Sequence, residues 1–87
     1  MKIKIINPNI TQSMTDSVAR LARRVARPDT QVWAVSPETG PDSIETFTDE
    51  YLAVPGVLKE VIRGDREENA DAFIIACFGD PGLQAAR

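Results

Sequence analysis

The sequence predicts an α/β domain: a three-stranded parallel sheet of order 2-1-3 with flanking helices. Three observations point to it. Short runs rich in β-formers alternate with longer runs of helical period, giving the order β-α-β-α-β and the start of a further helix. Residues 72–76 form a near-continuous apolar run, as expected of a parallel strand buried on both faces. The strands are separated by helix-length segments, so the connections are right-handed crossovers rather than hairpins. The chain shows neither an internal repeat nor a low-complexity segment.

The elements follow in order. Residues 2–6 alternate lysine and isoleucine before Asn7-Pro8-Asn9 breaks the run, which reads as a strand and a turn. Within residues 11–27, Met14, Val18, Leu21 and Val25 fall at helical spacing, with Arg20, Arg23, Arg24 and Arg27 mostly off that stripe. Thr11 or Ser13 is the expected N-cap, and Pro28 stops the helix. Residues 31–35 form the second strand, and "SPETGPDS" at residues 36–43 a long loop. Tyr51, Leu52, Val54, Val57, Leu58, Val61 and Ile62 suggest the second helix, which Pro55-Gly56 should kink or restart. Asn69 suits the positive-φ residue that follows a helix end. After the third strand, Asp80 reads as an N-cap with Pro81 at the first helical position.

Composition narrows the function classes. The chain has 87 residues, enough for one small domain with a modest core. A hydrophobic content of 43% and a charged content of 26% read as globular rather than disordered. The net charge of −3 argues against a nucleic-acid partner, which calls for a basic face. The longest wholly apolar run, residues 72–78, is too short to span a bilayer, so no membrane partner is expected. The start "MKIKIINPN" has two lysines, but its apolar part is only three residues, so it is no secretory signal. A single cysteine cannot form an internal disulfide, which suits a cytoplasmic location. The final helix has no C-cap or closing strand after it, so the sequence reads as the front part of a longer protein.

Sites in parallel α/β sheets form beyond the C-terminal ends of the strands, at a switch point in strand order. With order 2-1-3, Asn7 and Asn9 after the first strand face Cys77 after the third. The helix beginning near Asp80 aims its N-terminus at the same place, where its N–H groups would favour a thiolate. Gly79 would admit a ligand close to the backbone. A free cysteine is also a common buried packing residue, and Asn7 and Asn9 are ordinary turn residues around a proline, so both alternatives stay open on this ground alone. Asp42, Glu45, Asp49 and Glu50 read as loop and helix-start acids, and no metal site is assigned.

Five collinear strings carry a resemblance: "INPN" at residues 6–9, "MT" at 14–15, "GPDSIE" at 40–45, "LAVPGVL" at 52–58 and "ADAFIIACFGDPGL" at 70–83. Together they resemble the aspartate/glutamate racemase superfamily, in its hydantoin and allantoin racemase branch. Ile10 departs from the branch, which often has threonine after "NPN". The resemblance implies a cofactor-independent enzyme that inverts a carbon next to a carbonyl with two cysteines. One thiolate removes a proton from one face and a second thiol protonates the other. Cys77 would correspond to the first cysteine, Asn9 to the polar residue that contacts substrate, and Phe78 and Gly79 to backbone at the same turn. Gly40 and Ser43 would lie in a loop lining the pocket.

The resemblance further implies a small-molecule substrate of hydantoin or allantoin type and a homo-oligomer for the full-length form. Residues 1–87 would then be an incomplete N-terminal α/β lobe, the front part of a two-lobed racemase fold whose second lobe and second cysteine lie outside this sequence. By itself the 87-residue chain would be inactive, with one cysteine and no histidine. Two alternatives stand beside this reading: a decarboxylase or isomerase of the same superfamily, and a non-catalytic product acting as a binding or assembly fragment.

Overall fold

A computed structural model gives the architecture. It describes residues 1–41, 44–76 and 82–87. The elements are β1 (Lys2–Ile6), α1 (Gln12–Val25), β2 (Gln31–Val35), α2 (Phe47–Arg66), β3 (Ala72–Ile75) and a short α3 (Leu83–Ala86). The three strands are parallel, in the order β2-β1-β3. Ile5 pairs with Ala34 on one side and Ile74 on the other. The β1-to-β2 connection steps one way across the sheet, and the β2-to-β3 connection crosses back past β1 the other way. Right-handed crossovers therefore put α1 and α2 on opposite faces of the sheet.

The α2 face is held by a charge. Side chains alternate along a strand, so Lys4 and Ile6 share one face of β1 and Ile5 takes the other. Lys4 and Ile6 are both fully buried. The Lys4 ammonium donates to the Glu60 backbone carbonyl at 2.8 Å, to Glu60 Oε1 at 3.1 Å and to Glu68 Oε1. An ammonium has three N–H bonds, and each has an oxygen. Arg63 Nη1 donates to the other oxygen of Glu60 at 3.2 Å, so that carboxylate is paired on both sides. Gly64 stands next to the lysine stem. A Cβ there would lie 2.5 Å from Phe73 Cε1 and 2.9 Å from Lys4 Cδ, so only glycine fits.

Both helices form where the periodicity places them, but each turns a different face inward. In α1 the buried residues are Thr15 and Ala19, whereas Met14, Leu21 and Val25 are exposed. Positions 15, 19, 22 and 26 repeat with the same spacing as 14, 18, 21 and 25, one residue further round. Their alanines and threonine allow the helix to lie close to the sheet. In α2 the buried residues are Ala53, Gly56, Val57, Glu60 and Gly64, while Tyr51 and Leu52 face outward.

Three further expectations change. Helix α2 starts at Phe47, four residues before the apolar run, because Thr46 and Asp49 form a capping box. It continues as one helix through Pro55, whose ring is exposed. The adjacent Gly56 packs where a Cβ would meet Pro37 Cβ at 2.7 Å and the Thr39 carbonyl oxygen at 3.0 Å. That close seating opposes the break an internal proline favours. Strand β3 is not buried on both faces: Ile74 is half exposed, because β3 is an edge of this sheet.

The expectations at the ends of the two main helices hold. Thr11 is the N-cap residue of α1, without a side-chain capping bond, and α1 ends ahead of Pro28. Asn69 has φ of 57°. The Asp80-Pro81 helix start lies outside the described residues. Among the described residues no helix is long and apolar enough to cross a membrane.

The ion pair leads to one test. Glu60→Ala leaves the Lys4 ammonium buried with part of its partners removed, and should cost about 3 kcal/mol in a urea titration. Replacing both charges, in Lys4→Met/Glu60→Leu, should recover most of that loss. A double variant as unstable as the single one would contradict a charge-pairing role.

The capping box leads to another. The backbone N–H of Glu45, and then the Thr46 side chain and N–H, hold the Asp49 carboxyl below its ordinary value. A lowered folded-state pKa gives stability that is complete above the unfolded value and is lost as pH falls through the folded one. Asp49→Asn should therefore lower stability at neutral pH and flatten the acid limb. Thermal melts of both proteins at neutral pH and near pH 3 check this.

Candidate active site

All three strands run toward one end of the sheet. Strand β1 continues into Asn7-Pro8-Asn9 and β2 into Ser36-Pro37. The Asn7 N–H donates to Val35 O and the Ala76 N–H to Ile6 O, both at 2.9 Å. The chain leaving β2 and the chain leaving β3 therefore both depart from beside the end of β1. With β1 central and the direction of strand addition reversing after β2, this end is where the sheet's switch point lies.

A buried polar network occupies it. Asn7, Asn9 and Thr15 are each almost fully buried. Asn7 Nδ2 donates to Asn9 Oδ1 and to Thr15 Oγ1, both at 3.0 Å. Asn9 Oδ1 also accepts the backbone N–H of Thr11 at 3.0 Å, which bends the chain into α1. Thr15 Oγ1 contacts Ser36 Oγ and lies 3.4 Å from the Thr11 carbonyl oxygen. Asn9 Nδ2 reaches Met14 Sδ at 3.8 Å. Four segments are thereby joined: the end of β1, the turn after it, the first turns of α1 and the end of β2.

Gly40 has φ of 145°, a backbone conformation that favours glycine. Its loop is tied to the β1 turn by Ile10 N–H donating to Pro41 O at 3.0 Å. A Cβ on Gly40 would lie 3.7 Å from Ile10 Cγ2, so the two loops pack together. The structure thus brings Asn9 and Gly40 onto adjoining loops. Cys77, Phe78, Gly79 and Ser43 lie outside the described residues. Glu45, Asp49 and Glu50 sit at the start of α2, where Asp49 accepts the Glu45 and Thr46 N–H groups. Among the described residues no group of three metal-ligating side chains comes together.

Thr15 and Ser36 were not among the site residues expected from the sequence. The available signal for Thr15 was its place in the small-residue stripe of α1, beside alanines, where a hydroxyl needs a partner. Ser36 carried no comparable signal.

The Asp/Glu/Hydantoin racemase family model matches residues 3–87. The chain belongs to this family. It is 59% identical to a protein named hydantoin racemase from Pseudomonas sp. (strain NS671), over 100% of this chain and 34% of the relative. It is 46% identical to the hydantoin racemase of Paenarthrobacter aurescens, over 100% of this chain and 37% of that protein. The allantoin racemase from Klebsiella pneumoniae superposes with a TM-score of 0.94 at 48% identity, over 99% of this chain and 35% of that one. The chain therefore spans about a third of the length of the curated relatives it matches. Over that span it has the racemase fold.

The network makes a prediction of its own. Thr15→Val keeps the shape and removes the hydroxyl, leaving Asn7 Nδ2 short of an acceptor in a buried place. It should cost about 1–3 kcal/mol of stability. Thr15→Ser, which retains the hydroxyl, should recover most of it. Urea denaturation of the pair is the check, and equal losses would reduce Thr15 to a packing residue.

Proposed function

We propose that residues 1–87 form the N-terminal α/β lobe of a cofactor-independent racemase acting on a hydantoin- or allantoin-type substrate. In this reading Cys77 is the thiolate that removes the proton from a carbon next to a carbonyl. The observation that carries it is the 59% identity, across the whole chain, to a protein named hydantoin racemase. The allantoin racemase likeness at a TM-score of 0.94 supports it from the fold.

The mechanism follows from what inversion requires. An acid and a base must lie on opposite faces of the carbon, each within hydrogen-bond reach. Cys77 follows Ala76 directly in the chain, and Ala76 is bonded to the end of β1. Cys77 would serve one face, and a second cysteine from the remaining part of the protein would serve the other. Removal of the proton leaves negative charge on the neighbouring carbonyl oxygen. Asn9 and the backbone at Phe78 and Gly79 would hold that charge, and Gly40 and Ser43 would line the pocket. The full-length protein belongs in the cytoplasm on this reading, where a free thiol stays reduced.

In the full-length protein, Cys77→Ser should lower the rate of inversion by about 100-fold or more, because serine is too weak an acid to be a resting base. The melting temperature should stay near that of the unsubstituted protein. A chiral assay on 5-substituted hydantoins and on allantoin measures it, and turnover equal to that of the unsubstituted protein would remove Cys77 from the mechanism.

A further inference from the structure

We infer that Asn9 meets the substrate as a hydrogen-bond donor, and that Asn7 and Thr15 are positioning residues that hold it in that orientation. The inference rests on the proposed racemase reading and names the part of the substrate that Asn9 takes: an acceptor oxygen rather than a ring N–H.

A primary amide has a donor end and an acceptor end of nearly equal shape, so its direction is settled by its partners. Here one partner admits a single answer. The Thr11 backbone N–H can only donate, and it points at one end of the Asn9 amide at 3.0 Å. That end is Oδ1. The same oxygen lies 3.0 Å from the Asn7 amide, which must therefore present Nδ2. Asn7 Nδ2 in turn requires an acceptor for its second N–H, which Thr15 Oγ1 supplies at 3.0 Å. Thr15 then turns its hydroxyl hydrogen toward Ser36 Oγ or the Thr11 carbonyl. From the Thr11 amide outward, every orientation is forced. Flipping either asparagine would set donor against donor at Thr11 or acceptor against acceptor at Asn7.

The result at Asn9 is one-sided. Its oxygen accepts two N–H bonds inside the network. Its nitrogen has two N–H bonds, of which one goes to the Met14 sulfur, a weak acceptor, at 3.8 Å. Among the described residues the other meets no acceptor. The two bonds on the oxygen fix the place of that remaining N–H, and on the proposed reading it is the group that a ligand at this strand end would meet. Hydantoins and allantoin carry both C=O and N–H groups, so the choice is a real one. The carbonyl oxygen that gains charge when the neighbouring proton leaves is the acceptor that benefits most from such a donor.

The decisive variant is Asn9→Asp in the full-length protein. Aspartate keeps an oxygen for Thr11 and Asn7, so the turn is retained, and those two N–H bonds favour its ionised form. Only the NH2 end is replaced, by an acceptor oxygen, and among the described residues this gives up no more than the weak contact to the Met14 sulfur. With melting temperature near the unsubstituted value, kcat/KM for a 5-substituted hydantoin or allantoin should fall about 10- to 100-fold, the size of one lost hydrogen bond to a charge-bearing oxygen. Asn7→Ala should lower kcat/KM about 3- to 10-fold alone but by less than about twofold on the Asn9→Asp background, since coupled residues are not additive. Should Asn7→Ala fail to fold, the Asn9→Asp result decides by itself. Cys77-dependent inversion that is undiminished in Asn9→Asp would overturn the inference and leave the racemase reading standing. Additive losses would overturn the positioning role of Asn7. An unsubstituted full-length protein that inverts neither substrate would overturn the racemase reading and this inference with it.

Discussion

The buried ammonium of Lys4 sets the position of α2, and much of the remaining structure follows from that position. A charge in the middle of the central strand is tolerated only if its three N–H bonds all find oxygens. They do so only when Glu60 and Glu68 lie opposite β1. A one-residue slip of α2 would turn Glu60 about 100° round the helix, away from the ammonium, and take two of its three acceptors with it. Buried ion pairs seldom add much net stability over an apolar pair, so the consequence lies in specificity of placement. With Glu60 located, Val57 covers the sheet, Gly64 meets the lysine stem and Gly56 meets Pro37 and Thr39. The loop before α2 is thereby drawn toward the β1 turn, where Pro41 receives the Ile10 N–H. The charge in the sheet and the geometry at the strand ends are parts of one arrangement.

The strands, their parallel order and the existence of both main helices were legible in the sequence, because each rests on local signals: lysine-isoleucine alternation, helical spacing and the Asn-Pro-Asn break. The inward faces were not legible. Helix α1 carries two stripes of equal spacing, and a period cannot rank a Met-Val-Leu-Val stripe against a Thr-Ala-Ala-Ala one. Closeness of approach ranked them, and that is a property of the assembled sheet. The lysine at position 4 was similarly ambiguous. Alternation with isoleucine suggests a polar face turned to water, and only the glutamates more than fifty residues later make it an interior charge.

The candidate site divides along the same line. Asn7 and Asn9 could be marked in advance because they stand at a strand end beside a proline. The alternative that they are turn residues has part of the answer as well: the Asn9 oxygen shapes the turn while its nitrogen faces the other way. Ser36 became visible only through its contact with Thr15, 21 positions away in sequence, whereas Thr15 had shown a hydroxyl in a stripe of alanines. Gly40 was picked out as a loop residue of the family pattern, and its positive φ and its packing on Ile10 give that choice a conformational basis.

Helix α2 seats Gly56 and Gly64 tightly against its neighbours, eight positions apart and so about 12 Å along the helix axis. At both places the obstacle to a Cβ includes a ring or backbone atom rather than the loose end of a flexible chain. Every replacement of glycine adds at least one carbon, so neither position has a small step available to it. A change at either position therefore requires Pro37, Thr39 or Phe73 to shift with it, whereas the outward surface of α2, including Tyr51 and Leu52, carries no such constraint. The two sides of one helix are open to change on different terms.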